Sequence, residues 1–83
     1  MKVTVYSTHS CPWCVRVKDF LKENKVTFTE IYVDDDREKA MHMIDISGQT
    51  GVPVTDIDGE IVVGFDKSNL IKLLKLDKVK KAA

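Results

Sequence analysis

Both cysteines of the chain lie where the pattern of apolar residues changes from a two-residue to a helical repeat. Residues 2–7 alternate, with Val3 and Val5 on one face and bulky groups on the other, which predicts a central strand. From Pro12 onward the apolar residues follow a helical spacing, and proline suits a first helical turn because its missing N–H costs nothing there. These apolar residues are Cys14, Val17, Phe20 and Leu21. Cys11 is therefore expected at the N-terminus of a helix that directly follows a central strand.

The next segment predicts a second strand and a second helix. Residues 26–33 are rich in β-branched and aromatic side chains, which favours a strand. Three aspartates at positions 34–36 then offer an N-cap and favourable negative charge to a helix that begins at about Arg37. Gly48 is expected to end this helix. Its predicted buried stripe consists of Ala40, Met43, Ile44 and Ser47.

The last third of the chain predicts a hairpin and a final helix. Residues 54–57 and 60–63 flank Asp58-Gly59, a strong signal for a two-residue turn. The final helix is expected to be capped by Asp66 or Ser68. Its predicted buried side consists of Leu70, Ile71, Leu73 and Leu74. The order β-α-β-α-β-β-α predicts an α/β, thioredoxin-like arrangement: a four-stranded mixed sheet flanked by three helices, with the first two strands parallel and the last two antiparallel.

Length and composition indicate one small domain. A chain of 83 residues, 43% of them hydrophobic, has room for one core. We assign residues 1–76 to this domain and residues 77–83 to a basic C-terminal tail that is expected to be flexible. Thirteen basic and thirteen acidic residues give zero net charge, which argues against nucleic-acid binding. Because neither a membrane-spanning stretch nor a signal peptide is visible, we expect a cytoplasmic protein. Cysteines in that compartment are more often catalytic or metal-binding than structural. We also expect the protein to be a monomer.

Residues 11–14 (Cys-Pro-Trp-Cys) allow several interpretations. A structural disulfide would close a four-residue loop and add only about 2 kcal/mol, and the cytoplasm keeps thiols reduced. A zinc site would need four ligands, and the histidines that the chain offers, His9 and His42, are expected to face solvent. An iron–sulfur cluster shared between two chains is a further alternative. The fourth is a thioredoxin-like redox site, which a C-x-x-C segment beside a β-α-β pattern favours.

The positions of the two cysteines suit thiol–disulfide exchange. The unpaired N–H groups and the dipole of a helix N-terminus favour the thiolate form of Cys11. Cys14 lies one turn further along on the apolar face, so it should be shielded and stay protonated. Arg16 and Lys18 add positive charge nearby, although both also fit an ordinary surface role. Trp13 is either a recognition aromatic or a half-buried packing residue.

Taken together, these residues resemble the glutaredoxins and glutaredoxin-like redoxins of the thioredoxin superfamily, over residues 2–76. Residues 11–14 look like the family's active site, with Cys11 as the nucleophile and Cys14 as the resolving thiol. Residues 50–53 (Thr-Gly-Val-Pro) are similar to its Thr-Val-Pro segment with one additional glycine, and residues 64–66 (Gly-Phe-Asp) are similar to its turn before the last helix. The resemblance implies a cis bond before the proline and no metal. It implies substrate-binding roles for Pro12, Trp13, Thr50, Val52, Pro53, Gly64, Phe65 and Asp66.

The resemblance also implies an activity, the reduction of protein disulfides without a tightly bound cofactor. The electron donor to the Cys11–Cys14 disulfide would be glutathione or a flavoprotein of the thioredoxin-reductase kind. Many glutathione-using members carry a lysine where this chain has Thr8, and two acidic residues where this chain has Asp66 followed by Lys67. These departures favour the flavoprotein reductase. Glutathione-dependent deglutathionylation and iron–sulfur cluster binding are the alternative functions.

Overall fold

The structure, a computed structural model, describes residues 2–74 and has the predicted order of elements within them. The elements are β1 (Val3–Ser7), α1 (Pro12–Glu23), β2 (Thr29–Tyr32), α2 (Arg37–Ser47), β3 (Val54–Ile57), β4 (Glu60–Val63) and α3 (Lys67–Leu74). The predicted basic tail and the end of the predicted domain lie outside the described residues. Within the described range, no helix has the length and apolar character needed to span a membrane.

The four strands form one mixed sheet in the order β2-β1-β3-β4. β1 pairs parallel with β2 and antiparallel with β3, and β3 pairs antiparallel with β4. β1 is therefore a central strand, and all five of its residues are buried, as its bulky groups on both faces predict. Asp58 and Gly59 between β3 and β4 have φ values of 52° and 93°, the positive angles that a two-residue hairpin turn uses.

The helices cover both faces of the sheet and bury two apolar clusters. The face covered by α1 and α3 contains a cluster of Val3, Val5, Val17, Phe20, Leu21, Ile57, Val62, Leu70 and Leu74. The face covered by α2 contains Tyr6, Val33, Met43 and Val54. Each large apolar side chain buried here contributes about 1.5–3 kcal/mol. This packing holds α1 directly after β1 and so fixes the position of the Cys-Pro-Trp-Cys segment.

Two predicted details are wrong. β2 begins at Thr29, not at residue 26, because its pairing with β1 starts with Thr4 opposite Thr29. Lys25, with a φ of 58°, turns the chain at the end of α1, and the N–H of residue 26 donates to the Leu21 carbonyl at 2.8 Å instead of joining the sheet. Residues 26 and 28 still contribute apolar side chains to the α1–α3 cluster. In α2, Ile44 is 39% exposed, whereas Ile46 packs against the sheet. The stripe of α2 follows a three-residue spacing through positions 40, 43 and 46, which rotates residue 44 outward.

Candidate active site

Cys11 is the N-cap residue of α1. Its backbone is extended, with φ −104° and ψ 107°, and its Sγ accepts a hydrogen bond of 3.1 Å from the Cys14 N–H. The sulfur therefore lies beside N–H groups that have no partner within the helix and at the positive end of the helix dipole. Both effects stabilise negative charge on the sulfur. Because Cys11 is also partly exposed, its sulfur suits nucleophilic attack on an external disulfide.

Cys14 lies one turn inside α1 and is fully buried. Burial, and secondly the contact with Cys11, raise the pKa of the Cys14 thiol to about 12. Cys14 is therefore protonated near neutral pH and shielded from large reagents, as the apolar face of the helix predicts. The two thiols are both free and adjacent, but one is accessible and the other is not.

The loop before β3 approaches Cys11 from outside the helix. The Cys11 Sγ lies 3.9 Å from the carbonyl oxygen of Val52, and the Val52–Pro53 bond is cis, as the resemblance implied. Pro53 is buried and Val52 half-buried, and β3 begins only at Val54. The Val52 backbone thus lies beside the sulfur and outside the sheet, where an extended peptide can pair with it.

The turn before α3 is hydrogen-bonded to this loop. The Gly64 N–H donates to the Pro53 carbonyl at 2.8 Å. Gly64 has a φ of 73°, an angle that residues other than glycine rarely adopt. Asp66 caps α3, since one of its carboxylate oxygens accepts from the Asn69 N–H at 3.3 Å and the other from the Asn69 side-chain amide at 2.7 Å. The carboxylate of Asp66 is therefore already engaged in the helix cap.

Aromatic side chains form a surface beside Cys11. Trp13 is 56% exposed, so it is not the half-buried packing residue that was one of its two predicted roles. Its ring centroid lies 6.4 Å from that of Phe65, and the Arg16 guanidinium lies 5.0 Å from it. Phe65 in turn contacts Phe20 edge-on at 5.9 Å, and the Lys67 ammonium lies 5.8 Å from the Phe20 ring. An exposed tryptophan next to an arginine and a second aromatic ring is typical of a recognition surface.

A partly buried ion pair lies behind Cys14 and was not predicted. Lys18 of α1 pairs with Glu30 of β2, and their side chains are only 15% and 27% exposed. The sequence indicated only that Lys18 lies near Cys14, because it follows Cys14 by four residues and so shares its side of the helix. Its partner on β2 could not be identified from spacing.

A second unpredicted cluster surrounds His9, two residues before Cys11. The His9 Nδ1 lies 2.9 Å from Asp34, its Nε2 lies 3.4 Å from Asp35, and its ring stacks on Tyr32 at 4.0 Å. The hydrogen bond with Asp34 raises the pKa of His9 and lowers that of Asp34. Within residues 2–74, His9 and these two aspartates form the only group of three potential metal-ligating side chains whose ligand atoms all lie within 4.8 Å of one another. Each ring nitrogen faces a different carboxylate, so the contacts fasten the loop before Cys11 to the end of β2.

The predicted site residues thus fall into three segments around Cys11. Pro12 and Trp13 are exposed at the start of α1, the Val52–Pro53 bond lies beside the sulfur, and residues 64–66 adjoin that bond. Thr50 is exposed in the same loop, but no hydrogen bond among the described residues joins it to either cysteine.

Comparison with known proteins identifies the family. A family model of glutaredoxins matches residues 3–62. A glutaredoxin-like 8.6 kDa protein from a rubredoxin operon of Clostridium pasteurianum is 42% identical over 73 residues, covering 88% of this chain and 97% of that protein. The glutaredoxin-like protein NrdH of Lactococcus lactis is 38% identical over 71 residues, covering 86% and 97%.

The fold is also that of solved relatives. The crystal structure of a thioredoxin-like protein variant matches with a TM-score of 0.84 and 38% identity, covering 89% of this chain and 95% of that one. The family match and the cysteine pair at the start of α1 lead to the same conclusion: the chain belongs to the glutaredoxin family of the thioredoxin superfamily, a family of thiol–disulfide oxidoreductases.

Proposed function

We propose that the protein reduces disulfides of other proteins by a dithiol mechanism. The Cys11 thiolate attacks one sulfur of the substrate disulfide, forms a mixed disulfide and releases the other substrate sulfur, which takes up a proton. Cys14 then attacks the Cys11 sulfur, loses its thiol proton and displaces the second substrate sulfur as a thiolate. The resulting Cys11–Cys14 disulfide accepts two electrons and two protons from an external donor, which restores both thiols.

The contrast between the two thiols carries this proposal. Attack on a protein disulfide requires an accessible sulfur that holds negative charge, and Cys11 sits partly exposed at a helix N-terminus. Resolution is intramolecular, so it needs a sulfur that is adjacent but protected from competing reagents. Cys14 meets that requirement, because it is buried and its N–H is hydrogen-bonded to Cys11 Sγ.

The surface around Cys11 supports a protein as the substrate. The Val52 backbone offers hydrogen-bonding groups to an extended peptide, and Trp13 and Phe65 offer an apolar contact area next to it. Such a surface has more to bind in a polypeptide than in a small thiol. We place the reaction in the cytoplasm, a location that stays a prediction from the sequence, as does the monomeric state.

We propose a flavoprotein of the thioredoxin-reductase kind as the electron donor. Lys67 is exposed at the position where an acidic residue would attract the amino group of glutathione, and Thr8 offers no charge to a glutathione carboxylate. Exposed ion pairs contribute about 0–1 kcal/mol each, so these differences weaken glutathione as a donor without excluding it.

The test is reduction of insulin disulfides with two donor systems. One contains NADPH and thioredoxin reductase, and the other contains NADPH, glutathione and glutathione reductase. We expect the native protein to turn over faster with the first system, and we expect Cys11→Ser to be inactive with both. Residual dithiol activity in Cys11→Ser would contradict the mechanism, whereas faster turnover with glutathione would contradict only the proposed donor.

A further inference from the structure

Lys18 is a lysine that is mostly buried next to the active site. Its side chain is only 15% exposed, although lysine is rarely buried unless it is paired. It follows Cys14 by four residues in α1, a spacing that brings Cβ atoms to about 5–6 Å on the same side of a helix. Because Cys14 is fully buried, the positive charge of Lys18 acts on it through protein rather than through water.

Contacts from β2 hold the Lys18 ammonium in place. It forms the ion pair with Glu30, and its Nζ lies 5.3 Å from the centroid of the Tyr32 ring. The Ser7 hydroxyl, fully buried in β1, donates to the same Glu30 carboxylate at 3.4 Å. The titratable groups that face Lys18 are Glu30 and Tyr32 from β2 and Cys14 from its own helix.

Lys18 keeps its charge in this position. Burial is the largest single influence and opposes the charged form, but the hydrogen bond and the charge of Glu30, together with Tyr32, outweigh it and leave the pKa of Lys18 raised. Burial likewise opposes the charge of Glu30, yet its contact with Lys18 leaves the pKa of that carboxyl lowered. Lys18 is therefore an ammonium ion at neutral pH, where Cys14 has to react.

We propose that Lys18 is a positioning residue for the resolving step, in which its ammonium stabilises the negative charge that develops on Cys14 Sγ. This inference rests on the dithiol reaction proposed above. In the step, the S–H bond of Cys14 breaks, an S–S bond forms between Cys14 and Cys11, and the bond between Cys11 and the substrate sulfur breaks. The substrate leaves as a thiolate and takes up the proton that Cys14 released, so no further oxidant or reductant is needed.

The size of the effect is limited by the ion pair and by the other groups around Cys14. An opposite charge within about 4–6 Å shifts an ionisation equilibrium by about 10- to 1,000-fold. The carboxylate of Glu30 offsets part of the field of Lys18, and Lys18 is the weakest of the influences on the pKa of Cys14, so the expected effect is at the lower end of this range. We therefore expect about a tenfold slower resolving step when the charge is removed.

Stopped-flow reaction with excess dithiobis(nitrobenzoate), an aromatic disulfide, separates the two steps. A first phase of thionitrobenzoate release, with a rate proportional to the reagent concentration, reports attack by Cys11. A second phase, independent of that concentration, reports displacement by Cys14. We expect Lys18→Met to slow the second phase about tenfold at pH 7, to shift its rise to higher pH, and to change the first phase by less than about threefold. Lys18→Arg should restore the second phase, and Lys22→Met, at an exposed position of the same helix, should change neither phase.

A double variant guards against a folding effect. Lys18→Met leaves Glu30 without its cation, so Lys18→Met with Glu30→Gln keeps the site neutral and keeps an acceptor for the Ser7 hydroxyl. This variant should show the same slow second phase with a nearly native unfolding midpoint. An unchanged second phase would overturn the proposal, and so would an equal loss in Glu30→Gln alone, because the carboxylate would then be the active group. A native protein without any second phase would instead contradict the dithiol reaction itself.

Discussion

Alkylation of the reduced protein is expected to modify Cys11 and spare Cys14. The thiolate is the reactive form of cysteine, and the pKa of Cys14 is raised to about 12. At pH 7 a thiol with this pKa is about 0.001% ionised, whereas an ordinary cysteine with a pKa of about 8.5 is about 3% ionised. Ionisation alone therefore lowers the reactivity of Cys14 by roughly 3,000-fold. Burial, at 0% exposure, excludes the reagent in addition.

The assay is a time course of iodoacetamide labelling at pH 7, stopped with acid and mapped by mass spectrometry of peptides. Cys11 should be the only residue labelled while the protein is folded. Cys11→Ser should stay unlabelled, because burial is the largest cause of the raised pKa of Cys14 and does not depend on Cys11. In guanidinium chloride the same variant should label fully. If Cys14 of folded Cys11→Ser reacts within tenfold of the rate of free glutathione, Cys14 is neither shielded nor held in its protonated form.

Four further changes have defined expected outcomes. Met43→Ala should lower the free energy of unfolding in urea by about 2–5 kcal/mol, because Met43 is 1% exposed. Met41→Ala, at a 62% exposed position, should change it by less than about 0.5 kcal/mol. His9→Ala should lower the unfolding midpoint more at pH 6 than at pH 9, because the hydrogen bond to an aspartate raises the pKa of His9 from 6.5. Thr8→Lys combined with Lys67→Asp should increase turnover with glutathione by about tenfold, since each surface pair contributes about 0–1 kcal/mol and a factor of ten corresponds to about 1.4 kcal/mol.

The sign of the His9 effect follows from linkage. A group whose pKa is raised by folding contributes stability that is complete below its unfolded value, here 6.5, and is lost as the pH rises through the folded value. The lowered pKa of Asp34 sets the other limit, because its contribution is lost as the pH falls through the folded pKa of that carboxyl, which lies below 3.8. An equal midpoint shift at pH 6 and pH 9 would contradict the pairing.

Unchanged glutathione turnover in the Thr8/Lys67 double variant would contradict the donor argument, and a loss below about 1 kcal/mol in Met43→Ala would contradict its place in the core.

The sequence predicts those parts of the fold that depend on local pattern. The order of the elements and the hairpin at Asp58-Gly59 follow from side-chain period and turn chemistry, and the structure confirms them. Of the two predicted caps of the last helix, Asp66 and Ser68, the structure shows Asp66. The predicted start of β2 was wrong because strand-forming composition does not show where pairing with β1 begins, and the N–H of residue 26 is bonded to the end of α1 instead. The predicted burial of Ile44 was wrong because a period of 3.6 residues leaves the exact rotation of a helix about its axis to its tertiary contacts.

In the candidate site, too, features within one segment could be predicted from the sequence, whereas contacts between distant segments could not. The helix-terminal position of Cys11 and the burial of Cys14 follow from spacing in one segment. The approach of the Val52 backbone to Cys11 joins segments 41 residues apart, and only the resemblance to glutaredoxins pointed to it. The Lys18–Glu30 ion pair had no such guide, because it joins charged residues on different elements, where any of several partners would satisfy the pattern of the sequence.

The most direct test of the dithiol mechanism is to trap its intermediate. Reduced Cys14→Ser, incubated with insulin and then treated with acid, should carry a mixed disulfide that mass mapping places at Cys11. The native protein, treated in the same way, should contain the Cys11–Cys14 disulfide and released insulin thiols. Both products are expected, because only Cys11 is accessible for attack and only Cys14 is adjacent for resolution. A Cys14→Ser variant that forms no adduct, or native protein that accumulates the adduct without closing its own disulfide, would contradict the dithiol mechanism.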